Sequence, residues 1–126
     1  MTSSHPTDPH HKHLAQQQRQ LCIALLEKII KSCYRMFRNP SLSIANILKK
    51  LSILLTKLNQ LGPVYLDTQY HKETRKYVER LPMLLHSAQD PTMTKLQQIT
   101  ELNRLQKLKN STQYKRKKDA THALDE

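Results

Sequence analysis

The sequence predicts an all-α protein: three to four helices forming a small antiparallel bundle or an extended helical hairpin, with disordered N- and C-terminal tails. Three observations predict it. There is 1 glycine in 126 residues, where about 7% is ordinary, and tight strand-connecting turns draw on positive-φ residues, which glycine supplies at least cost. Apolar residues recur at spacings of three and four over long stretches, the period of a helix and not of a strand. Pro40, Pro63, Pro82 and Pro91 then divide the chain into pieces of helical length.

Residues 1–12 (MTSSHPTDPHHK) hold too little apolar surface to offset the entropy of ordering and read as a disordered, His-rich tail. A helical domain is expected over 13–110. Its first helix should run from about Leu14 to Arg38, with Leu21, Cys22, Leu25, Leu26, Ile29, Ile30, Cys33, Met36 and Phe37 along one side. Asn39-Pro40 ends it, because the residue before a proline is driven out of the α region. The same pair can open the next helix, Asn39 as N-cap and Pro40 at the first helical position.

That second helix should extend to about Leu61, where Gly62-Pro63 supplies a left-handed residue and a stop. Ile44, Ile47, Leu51, Leu54, Leu58 and Leu61 alternate spacings of three and four, the a and d positions of a heptad or coiled-coil pattern. Leu48 and Leu55 widen the stripe to the breadth found in bundles. Such a seam serves either as the centre of a self-contained bundle or as a docking surface for a partner helix.

A third helix should open at Asp67 or Thr68, either of which can cap it, with Tyr70, Tyr77, Val78, Leu81, Leu84 and Leu85 as its apolar side. Pro82 is expected to kink or break it near Arg80, since a mid-helix proline costs about 3 kcal/mol. Asp90-Pro91 starts a fourth helix running to about Lys109. There Met93, Leu96, Ile99, Leu102, Leu105 and Leu108 recur every three residues. Each step falls about 60° short of a full turn, so the six wind around the helix instead of lining one face. The far half, Leu102, Leu105 and Leu108, is therefore expected to join the seam in binding a partner. Residues 111–126 read as a basic disordered tail, in which Lys115, Arg116, Lys117 and Lys118 form a nuclear-import or phosphate-contacting run.

Charge narrows the partners. The net charge is +11 and the pI about 9.9, which favours nucleic acid or another acidic partner. No acidic residue falls between Glu27 and Asp67, yet Lys28, Lys31, Arg35, Arg38, Lys49, Lys50 and Lys57 do. Lys72, Lys76 and Arg80 make a further stripe with Arg75 beside it, which Glu73 and Glu79 can neutralise. No stretch approaches the roughly 18–20 apolar residues of a membrane span, and residues 1–13 lack the apolar core of a secretory signal. Cys22 and Cys33 sit about 16 Å apart along one helix, too far for an intrachain disulfide, which fits core thiols in the nucleus or cytoplasm of a protein that is not secreted.

Catalytic and metal motifs are missing. One glycine excludes a P-loop or dinucleotide fingerprint, the carboxylates are scattered, and the tail histidines lack the ordered companions a zinc site needs. No enzyme activity, cofactor, metal or small-molecule substrate is expected. The leading functional reading is a non-enzymatic helical assembly subunit that packs with a helical protein partner or with itself as a homo-oligomer. The alternatives are a basic helical nucleic-acid-binding or transcription-associated protein using the first two helices with residues 115–118, and a viral or lineage-specific accessory protein.

Overall fold

Four helices and no strand occur among the described residues of the computed structural model: α1 (Pro9–Phe37), α2 (Ile44–Gln60), α3 (Gln69–His86) and α4 (Pro91–Asp125). The backbone is described for residues 9–125 and the side chains for 13–111. The first eight residues of the expected N-terminal tail and the side chains of the 115–118 run lie outside that range.

Local chemistry sets most helix ends. Thr68 caps α3, its hydroxyl accepting from the His71 N–H at 3.1 Å. Asp90 caps α4, with Oδ1 accepting from the Met93 N–H at 3.1 Å, and Pro91 takes the first helical position. Gly62 follows α2 at φ 70°, the left-handed stop its sequence forecast.

Four features differ from the sequence expectation. α1 begins at Pro9 and not near Leu14, so residues 9–12 of the expected tail belong to the helix. α2 begins at Ile44 and not at Pro40, because Ser43 is the cap that accepts from the Asn46 N–H. Asn39 instead turns its side-chain oxygen onto the Ser41 N–H at 3.0 Å, closing the kind of local turn that competes with helix initiation. α3 passes through Pro82 to His86 without a break. The proline costs about 3 kcal/mol, but continuing the helix buries Leu81 and Leu85, each worth about 1.5–3 kcal/mol. α4 continues past Lys109 to Asp125; no glycine or proline follows Pro91 to stop it.

The helices run up, down, up, down. Each packs on its chain neighbours, α4 closes back onto α1, and α1 also meets α3 across the diagonal. Two polar contacts fix the antiparallel α1–α4 register: Tyr34 Oη donates to Asn103 Oδ1 at 2.7 Å, and Lys109 Nζ donates to Glu27 Oε2 at 3.1 Å. The core joins Cys22, Leu26, Ile29, Ile30, Cys33, Met36 and Phe37 of α1 to the inner residues of the other three helices. Leu21 falls off that stripe and is exposed.

The threefold spacing on α4 resolves by rotation. Nine residues on from Met93, Leu102 lies about 180° around the helix, so when Leu102 and Leu105 are buried, Met93 and Leu96 must point outward, as they do. Polar side chains complete the inward face. Thr94, Lys95 and Gln98 are all buried, and Gln98 Oε1 accepts from the buried Tyr77 hydroxyl at 2.9 Å.

Candidate functional site

The heptad seam lies inside the chain's own bundle. Ile47, Leu51 and Leu58 are fully buried, while Ile44, Leu54 and Leu61 are half-buried against the same core. Leu102 and Leu105 are buried in the same core and Leu108 packs against it. In this fold the buried members offer no surface to a partner. Leu48 and Leu55, also half-buried, complete the α2 stripe.

Charge is sorted differently. Among the described residues, Glu27, Glu73, Glu79 and Glu101 each lie in an ion pair, with Lys109, Arg104, Arg75 and Arg104 respectively, at 3.1–4.0 Å. Those pairs all involve α3 or α4. The seven cations between Lys28 and Lys57 are all exposed, and none lies in any of these pairs. Arg38 rests over the Tyr34 ring, 4.7 Å from its centroid. Lys72, Lys76 and Arg80 are exposed on α3, where Glu73 and Glu79 moderate the local field.

Helix periodicity gathers the α1–α2 cations. Lys28, Lys31, Arg35 and Arg38 are spaced three, four and three apart, a single stripe on the outside of α1. Lys50 and Lys57, seven residues apart, share the side of α2 that faces α1. Between the two helices lies an open groove of about 290 Å³, with Arg35 and Lys50 on opposite walls and Ser32, Met36, Asn39, Leu42 and Leu54 between them. In the antiparallel register that sets Arg35 level with Lys50, Lys57 comes level with Lys28, about 10 Å along the helices. Arg35 and Lys50 are the cations that line the groove, and the same register carries Lys28 and Lys57 beyond it as a second cationic pair.

One end of the groove is held from the far side of the molecule. Lys95 of α4 is buried, and its ammonium donates to the carbonyls of Asn39 at 2.9 Å and Leu42 at 2.6 Å. Asn39 and Leu42 both line the groove, so this buried charge fixes the groove's floor. Nothing in the local sequence around Lys95 signals that role, since its acceptors lie more than fifty residues away.

The arrangement suits electrostatic binding. A concave wall of cations over a low-dielectric floor concentrates positive potential, and the Ser32 hydroxyl and Asn39 amide add hydrogen-bonding groups. The thiols are not poised for nucleophilic chemistry: burial pushes Cys33 up to about 12, and burial also raises Cys22 despite the opposing Arg75 guanidinium. Among the described residues no three His, Cys, Asp or Glu side chains converge to hold a metal, and no helix is long and apolar enough to cross a membrane. Searches of family models, curated proteins and solved structures return no match to this chain.

Proposed function

We propose that the protein is a non-enzymatic, basic helical nucleic-acid-binding protein that holds a sugar–phosphate backbone along its α1–α2 face. One observation carries the reading: seven exposed cations crowd a stretch that holds no carboxylate, and two of them, Arg35 and Lys50, line the groove between α1 and α2. Phosphate contacts from Lys and Arg supply most of the affinity in such complexes. Fluorescence anisotropy with labelled oligonucleotides at low salt tests it. Arg35→Glu with Lys50→Glu should weaken binding more than tenfold while leaving the fold intact, since both side chains are exposed. Lys72→Glu with Lys76→Glu on α3 should change it far less. Equal losses from the two pairs would show that overall charge, and not the groove, governs binding.

A second reading, as a helical assembly subunit, rests on a different patch. Leu84 of α3 and Met93 and Leu96 of α4 are exposed. In the register set by Tyr77–Gln98 and Glu73–Arg104, Leu84 comes level with Met93. An apolar strip at that end suits a helix from another chain. Sedimentation across a hundredfold concentration range checks self-association; a constant monomer mass ends the homo-oligomer form of this reading.

A further inference from the structure

Below the end of α2 the chain turns at Gly62 and brings Pro63, Val64 and Tyr65 against the first half of α1. There they line a second, open cavity of about 350 Å³, shared with Ala15, Gln16, Gln18 and Arg19. Tyr65 is 72% exposed, far more than a ring of that size needs to be when apolar floor lies beside it. The segment that carries it is anchored: the Arg75 guanidinium, itself mostly buried, donates to the Gly62 carbonyl at 3.1 Å and reaches the Cys22 sulfur at 3.5 Å. The Tyr65 ring, the Arg19 guanidinium and the Gln16 and Gln18 amides thus share one cavity.

We infer that this cavity takes an unpaired nucleobase, stacked on Tyr65 and read at its edge by Gln16, Gln18 and Arg19, so that the nucleic acid bound is single-stranded. The inference rests on the reading of the α1–α2 face as a phosphate-binding surface. Its physical basis is the division of labour in single-strand recognition, in which a cationic groove tracks the backbone and aromatic side chains stack on the bases. A duplex keeps its base faces stacked internally and offers none to Tyr65. By helix periodicity Gln18 and Arg19 fall on the core-facing side of α1 and Gln16 at its edge, away from the outer cationic stripe, so a strand leaving the groove reaches them by rounding the end of the bundle. Gln18 lies about 15 Å along the helix from Lys28, a reach within the site of roughly 4–16 nucleotides that small single-strand binders cover. Glutamine amides carry both donors and acceptors and tolerate any base edge, which predicts weak sequence preference.

The test titrates the full chain with three labelled probes of one length: a single-stranded oligonucleotide, the same sequence as a duplex, and an abasic strand that keeps phosphates and sugars. Wild type should bind the single strand most tightly. Tyr65→Ala should weaken that binding roughly five- to a hundredfold, leave the abasic strand unchanged and leave the salt slope intact, while Tyr65→Phe retains most of the affinity. Equal affinity of wild type for all three probes, or indifference of the single strand to Tyr65→Ala, overturns the base site. Loss of dependence on Arg35 and Lys50 instead overturns the phosphate-binding reading on which it rests. Because Tyr65 is exposed, helical content by circular dichroism should match wild type in both Tyr65 variants.

Discussion

Lys95 shows how a single residue ties the bundle to its groove. An ammonium at 7% exposure persists only when hydrogen-bonded, and here the carbonyls of Asn39 and Leu42 meet that need. Lys95→Met keeps the aliphatic stem and removes the donor, stranding two carbonyls. It should lower stability by about 1–3 kcal/mol, read as a lower urea midpoint at unchanged m-value. A shift within error would show that solvent replaces the ammonium without loss. Cys33 gives a second residue-scale prediction, with a sign fixed by linkage. Burial raises its thiol from 9.0 to about 12, so the folded state keeps its proton where the unfolded state releases it. Stability from this group is complete below about pH 9 and drains away as pH climbs toward 12. Tyr70, pushed up from 10.0 to about 12 by burial first and then by the Glu27 charge, steepens the same alkaline fall. Cys33→Ala should flatten the alkaline limb of the stability curve between pH 9 and 11, although the smaller side chain lowers stability at neutrality.

At the scale of elements, the legible features were those encoded within a few residues. Thr68, Asp90 and Gly62 perform the roles their types and neighbours forecast, because a cap or a left-handed turn is decided by one side chain and the adjacent backbone. Asn39 could cap a helix or close a turn; Ser43 stands four residues later with the same capability, and the contest is settled by tertiary contacts that hold the Asn39 and Leu42 carbonyls. The apolar spacing on α4 was legible as a pattern but not as a face, since its buried side is completed by Lys95 and Gln98, whose partners come from distant segments. Tyr65 gave no sequence signal at all. Two substitutions test the element-scale energetics. Gly62→Ala meets nothing within 4 Å of the added Cβ, so its cost is backbone alone, about 1–2 kcal/mol for a left-handed residue. Pro82→Ala restores a helix N–H and should stabilise by roughly 1–3 kcal/mol, seen as a higher Tm; an unchanged Tm would mean that the helix already accommodates the ring without penalty.

For the whole molecule, the organising feature is separation of charge. The described ion pairs all involve α3 or α4 and take up Glu27, Glu73, Glu79 and Glu101, while α2 and the part of α1 after Glu27 carry cations alone. The sequence announced this as a stretch of chain without acidic residues. It did not announce the groove, because pairing Arg35 with Lys50 depends on the antiparallel packing of two helices and on the length of the turn between them. Conversely, the heptad seam, which reads in sequence as either a bundle centre or a docking surface, turns inward, with Ile47, Leu51 and Leu58 sealed by the other helices. The fold thus takes the most conspicuous apolar feature for its own core and leaves charge as the most extensive surface feature for recognition.

The most direct test of that account is the salt dependence of single-strand binding, wild type against Arg35→Glu with Lys50→Glu. Four cations of the α1–α2 face, Lys28, Arg35, Lys50 and Lys57, neutralising four phosphates predict a slope of log K against log salt of about −3, at about −0.7 per phosphate, and charge reversal at two of them should reduce its magnitude by at least about 1.4. A slope near zero, or one that the double variant leaves unchanged, would contradict it.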